Sequence, residues 1–201
     1  MRPDYNKAKA CILGLMAEQL PPGLTYHSLE HTTVHVLPAV ELFCDDLALA
    51  SEKQLLVKTA ALFHDSGYIR QYSDNETIGA ALAQSILPTC SYSPQQIHCI
   101  IEMIVSTTMP QQPRSMLDQI LCDADLVTLG RPDFLETSMM LRRESGTFLQ
   151  PVSLLDWLIK QYDFLQSHQY FTVAARNRLD QGKEENMMEL DKVLHSRCDG
   201  Q

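Results

Sequence analysis

The sequence predicts an all-α protein, and three observations carry that expectation. Apolar residues recur at helical spacing through most of the chain. Helix punctuation is frequent, as at Ser93-Pro94-Gln95-Gln96. No segment shows clear period-two alternation, and no Asn-Gly or Asp-Gly turn joins two alternating apolar runs. With 201 residues, 45% hydrophobic and 20% charged, the chain should bury about 70% of the surface its unfolded form would expose. That is enough for one sizeable core. No internal repeat, low-complexity segment or long linker divides the chain, so a single domain over residues 1–201 is expected, built as a compact helical bundle.

In chain order, helices are predicted near 7–19 and 29–49, the second with a kink or break at Pro38, which cannot donate the helical hydrogen bond. The third, near 52–66, runs through Ala60-Ala61-Leu62-Phe63 to Gly67, and a fourth covers 75–87. The fifth, 94–107, has a capping Ser93, Pro94 at its first position and Gln96 completing a capping box ahead of Ile97, Ile100, Ile101, Ile104 and Val105. A sixth covers 115–129, followed by 132–144, 152–167, 171–181 and 184–196. In the last, Met187, Met188, Leu190, Val193 and Leu194 form one apolar face, so the tail is expected to dock rather than trail free. Gly67, Gly130, Gly146 and Gly182 stand where helices should stop in the left-handed conformation.

Sixteen basic against twenty-five acidic side chains give a net charge of −9, spread along the chain, which argues against a nonspecific grip on nucleic acid. No run approaches the length and apolarity of a membrane span, and the start lacks a signal peptide's apolar stretch, so a cytoplasmic protein without a membrane partner is expected. The six cysteines form no C-x-x-C pair and read as free, mostly buried thiols.

Chemistry concentrates in three places. His64-Asp65 closes an apolar helix just before Gly67, and burying two such groups costs several kcal/mol unless they pair or hold a cation. Taken alone, the pair is better explained by a capping Asp or a solvated His than by a metal site. Upstream, His27, His31 and His35 stand four apart and would stack on one face if the whole segment were helical, although the H-E-x-x-H order of zinc proteases is absent. Histidines on a polar helix edge are the alternative. Downstream, Asp123 and Asp125 interrupt the apolar sixth helix and point to different sides, whereas Asp118 fits a solvated face.

Taken in order, His31 in Y-H-S-L-E-H-T, His64 and Asp65 in A-L-F-H-D-S-G-Y, and Asp125 in C-D-A-D-L resemble the HD-domain superfamily of metal-dependent phosphohydrolases. The resemblance spans about residues 26–134, with C-terminal helices expected to pack on that core. It implies an HD-type helical bundle with a metal site between central helices. It assigns His31, His64, Asp65 and Asp125 as ligands and leaves His27 and Asp123 as neighbours. Some members add histidines for a second metal. Here Asp74-Asn75-Glu76-Thr77 and the 104–109 segment supply none, and His98 reads as packing or solvent-facing, so one divalent ion is expected. Mn, Fe, Ni, Zn, Co or Mg could fill it, and two nitrogen ligands favour a transition metal.

The implied activity is hydrolysis of a small phosphate ester or nucleotide-like molecule by metal-activated water, with His64 and Asp65 catalytic and Asp65 holding both ion and water. His27, Glu76, Arg131, Gln161 and His168 are candidate substrate-binding residues, and Glu30 joins His27 and Glu76 as a candidate to polarise water or a leaving group. Arg131 could reach a phosphate or simply end a helix, and Lys58 and Arg70 carry the same ambiguity. Rival readings are a cyclic-nucleotide or dinucleotide phosphodiesterase and a catalytically silent, metal-stabilised sensor. Exposed apolar faces on the later helices would suit a homodimer.

Overall fold

A computed structural model describes residues 2–198, with side chains through residue 195. It is 75% helical, and no strand occurs among the described residues. The elements are α1 (Tyr5–Gln19), a π-helical segment (His31–Val36) running into α2 (Leu37–Asp46), α3 (Ser51–Phe63), α4 (Asn75–Ile86), α5 (Pro94–Ser106), α6 (Met116–Asp125), α7 (Phe134–Phe148), α8 (Leu154–Ser167) and α9 (Val173–Cys198). Short 3-10 turns cover Ser66–Ile69, Leu87–Cys90 and Val127–Gly130. One apolar core joins side chains from Ala8 on α1 to Leu190 on α9.

α3 occupies the centre, packed against α1, α2, α5 and α6. Every residue of its last turn and a half, Thr59 to Phe63, is buried. A helix apolar on all sides can satisfy itself only inside the protein, which fixes His64 and Asp65, at its C-terminal end, in the interior. The capping box at Ser93 forms as predicted, with Gln96 N–H donating to Ser93 Oγ at 3.2 Å and Ser93 N–H to Gln96 Oε1 at 2.9 Å.

The break expected at Pro38 takes another form. Pro38 sits in the first turn of α2, and the irregularity lies ahead of it as a π-helical stretch that runs directly into α2. Helix begins only at Leu29, so His27 precedes it, and His27, His31 and His35 do not share one helical stripe.

The glycines also act differently from their predicted role. Among the described residues no glycine takes a positive φ, whereas Ala48, Asp74 and Ser91 do. Gly146 lies inside α7, and Gly182 lies inside α9, which is one helix where two were predicted. Gly130 and Gly182 instead permit close approach: a Cβ on Gly182 would lie 2.2 Å from the Gly130 carbonyl oxygen, and one on Gly130 would lie 2.6 Å from that of Leu179. Asn186 then donates to the Leu129 and Arg131 carbonyls at 2.9 and 2.8 Å, fastening α9 to the turn that follows α6. The tail docks as expected, with Leu190 buried and Met187, Val193 and Leu194 against the core; Met188 is exposed.

Asp118 does not face solvent. It is buried in a capping box at the start of α6, accepting the Arg114 and Ser115 N–H groups at 2.9 Å each. The thiols divide: Cys44, Cys90 and Cys122 are buried, Cys99 is half-buried and Cys11 is exposed, all free, while the Cys198 side chain lies outside the described ones. No helix among the described residues is long and apolar enough to cross a membrane.

Candidate metal centre

Three separate stretches converge at the end of α3. The π-helical segment brings His31, the end of α3 brings His64 and Asp65, and the last residue of α6 is Asp125. His31 Nε2 lies 3.2 Å from Asp125 Oδ1 and 3.5 Å from Asp65 Oδ2. His64 Nε2 lies 3.2 Å from Asp65 Oδ2 and 3.4 Å from Asp125 Oδ1. One ligand atom from each of the four falls within 4.8 Å of the others.

Donors about 2.1 Å from a shared tetrahedral centre stand about 3.4 Å apart. These four atoms therefore have the spacing of a ligand shell. His64 Nδ1 faces the Ala61 carbonyl at 2.8 Å, which fixes the ring as an Nδ1–H donor and leaves the Nε2 lone pair for the cluster. His64 Nε2 and Asp65 Oδ2 are buried without a hydrogen bond of their own. Orphaned buried polar atoms at the focus of two imidazoles and two carboxylates fit a divalent cation, and this group could hold one.

Electrostatics agree with that chemistry. Burial opposes protonation of His64, yet the charge of Asp65, and then that of Asp125, holds its pKa well above the ordinary histidine value. Burial would raise the Asp125 carboxyl, but His31 and His64 hold it far below the usual carboxylate range. Two carboxylates at one point demand positive charge, and either protonated imidazoles or a cation can supply it.

Beside the cluster lies a cavity of about 340 Å³, walled by Asp65, Asp125, His27, Glu76 and Gln161 among others. Four side chains are thus brought together as a core, and three of the five substrate-binding candidates face the adjoining space. The other two do not line it. Arg131 is held by both carboxylate oxygens of Asp133, at 2.9 and 2.8 Å. His168 packs between Phe164 and Tyr170, and its burial pushes its pKa down to about 4. Lys58 pairs with Glu41 at 2.5 Å, and Arg70 and His98 face solvent. Glu30 and His35 line a smaller neighbouring cleft of about 250 Å³. A larger cavity, about 820 Å³, lies between α5 and the 108–118 segment, and none of His31, His64, Asp65 and Asp125 lines it.

Asp123 is structural, accepting the Phe171 and Thr172 N–H groups at 2.8 Å and the Thr172 hydroxyl at 2.7 Å. Three contributors escaped the sequence reading. Glu144, fully buried on α7, hydrogen-bonds His27 Nδ1 and accepts the Tyr26 and His27 N–H groups at 2.7 and 3.0 Å. Gln111 Nε2 reaches the second Asp125 oxygen at 3.5 Å. Asn75 lines the cavity with a buried Oδ1 that has no hydrogen-bond partner. Glu144 stands 117 residues from His27, so no local spacing links them. In sequence Glu144 resembles any acid on an amphipathic helix.

No family model, curated protein or solved structure matches the chain.

Proposed function

We propose that the protein is a metal-dependent phosphohydrolase of the HD-domain type, acting on a small phosphate ester. The observation that carries this reading is the convergence of His31, His64, Asp65 and Asp125 on one point at the mouth of a ligand-sized cavity. Two nitrogen and two oxygen donors favour a first-row transition ion, Mn, Fe, Co, Ni or Zn, over Mg. Such an ion, when bound, lowers the pKa of a water and screens the charge of a phosphoryl group.

The side chains divide the remaining work. Asp65 orients the attacking water by accepting one of its protons. The water oxygen forms the new bond to phosphorus, and the ester P–O bond breaks with its electron pair left on the alcohol oxygen. His27, protonated and held by Glu144, supplies a proton to that oxygen. Burial alone would lower the His27 pKa, but the Glu144 hydrogen bond and the nearby Asp65 charge carry it above the ordinary histidine value. A histidine so held is charged nearer neutrality and can serve as the acid. Stacking of its ring on Tyr68, with centroids 4.4 Å apart, limits its rotation.

Phosphate release tests the reading. Metal-depleted protein is loaded with each divalent metal in turn and offered a panel of aryl phosphates and nucleoside phosphates. The expected result is metal-dependent release that falls at least 100-fold in Asp65→Ala. No release with any metal, or release unchanged in Asp65→Ala, overturns it.

A further inference from the structure

The walls of the cavity beside the metal ligands identify the kind of ester it takes, an inference that rests on the phosphohydrolase reading. The charged side chains lining it are Asp65, Asp125 and Glu76, with His27 as the one base, already balanced by Glu144. No Lys or Arg among the described residues lines it. The nearby cation Arg131 is committed to Asp133.

Away from the ligands the walls become apolar: Met109, Leu126, Phe134, Leu141 and Phe164. Hydroxyl groups there are largely engaged. Thr128 Oγ1 meets the Tyr26 hydroxyl at 3.0 Å, and Ser138 Oγ accepts the Trp157 indole N–H at 2.9 Å. The neutral polar groups left for a ligand are the Tyr68 hydroxyl, the unpartnered Asn75 Oδ1 and the Gln161 side chain.

We propose that the site takes a phosphomonoester with an uncharged, flat, apolar body, an aryl phosphate in chemical class, in preference to nucleoside di- or triphosphates. Among the described residues a divalent ion and His27 would be the cations facing a bound phosphoryl group, and Asp65, Asp125, Glu76 and Glu144 already oppose them, so the walls offer nothing to offset the charge of a second phosphate. Each further phosphate would enter a low-dielectric pocket with no counter-charge, at a cost that favours exclusion. The aromatic faces of Phe134 and Phe164 and the stem of Leu141 instead gain by covering an apolar ring. At about 340 Å³ the cavity is near the small end of ligand sites, about 300–1,000 Å³.

Equilibrium binding to the metal-loaded protein tests the preference independently of turnover. By calorimetry, in excess metal, 1-naphthylmethylphosphonate should bind at least tenfold more tightly than methylphosphonate. It should also bind at least tenfold more tightly than a β,γ-methylene nucleoside triphosphate. Phe164→Ala should lose most of the naphthyl advantage while methylphosphonate affinity stays within twofold, and Leu141→Arg should strengthen the triphosphate analogue. Equal binding of the two phosphonates, or tighter binding of the triphosphate analogue by wild type, overturns the proposal. Turnover of 1-naphthyl phosphate in the same preparation separates the two readings. Selective binding without release overturns the hydrolase and leaves the ligand preference standing, whereas release with unselective binding does the reverse.

Discussion

Glu144 reaches across 117 residues to hold His27, taking its ring Nδ1 and its backbone N–H in one fully buried carboxylate. The arrangement fixes the ring's position beside the cluster of His31, His64, Asp65 and Asp125. Replacing the carboxylate with an amide keeps the shape and removes the charge. Glu144→Gln should therefore lower kcat by about 100-fold, the low end of what a positioned proton donor contributes, while metal affinity holds.

The same pair sets a pH signature in the metal-free protein. His27 is raised on folding above its ordinary 6.5, so its contribution is complete below that value and fades as pH rises through the raised one. Burial would raise Glu144, but His27 and the two N–H groups hold it below its ordinary 4.5, so its contribution is complete above that value and fades as pH falls through the lowered one. The stability gap between wild type and Glu144→Gln should peak between 4.5 and 6.5 and shrink on either side. Charge-assisted hydrogen bonds set its size at about 1.5–3 kcal/mol. Urea unfolding across pH measures it, and a flat gap would contradict the pairing.

Metal should act as a stabiliser because the unfolded chain cannot assemble the four ligands. At a free concentration about 100 times Kd, binding contributes about 2.7 kcal/mol. For a chain of this length that is about 5–10 °C in Tm. Thermal melts with each divalent ion should show the shift in wild type and lose most of it in Asp125→Asn.

Asp123 and Asp125 stand two apart and should separate cleanly by experiment. Asp123 ties the start of α9 to α6 through three hydrogen bonds. Asp123→Ala leaves those donors buried and unmet, which should cost about 2–4 kcal/mol in chemical unfolding. Its metal affinity, measured well below the melting point, should match wild type.

Glycines provide a fifth test. A Cβ on Gly67 would lie 1.8 Å from the Asn75 carbonyl oxygen, backbone that cannot swing aside. Gly67→Ala should lower stability by more than about 3 kcal/mol, in the range of severe strain, and should disturb the turn that carries Asp65. Gly14, in α1 with open space where a Cβ would go, should respond oppositely, gaining about 0.5–1 kcal/mol as Ala. Paired thermal melts of the two variants would show the contrast.

The sequence by itself determined the helical class, because apolar spacing and caps such as Ser93–Gln96 are local signals read within one turn or two. His64, Asp65, Asp123 and Asp125 stood out because they close or interrupt apolar runs where an unsatisfied polar group is costly, and His31 by its spacing from His27 and His35; taking His31, His64, Asp65 and Asp125 as one ligand set was implied only by the resemblance to the HD-domain superfamily. Segment ends were less legible. Gly182 reads as a helix stop, yet α9 passes through it, since its missing side chain serves contact with Gly130 rather than a turn. Only the tertiary structure decided which distant partners meet: Glu144 with His27, Asp123 with Thr172, Arg131 with its own neighbour Asp133 instead of the cavity. Pairings of that kind depend on how helices pack across the core, and helix packing is set by side-chain fit between segments far apart in the chain. Local periodicity carries no record of it.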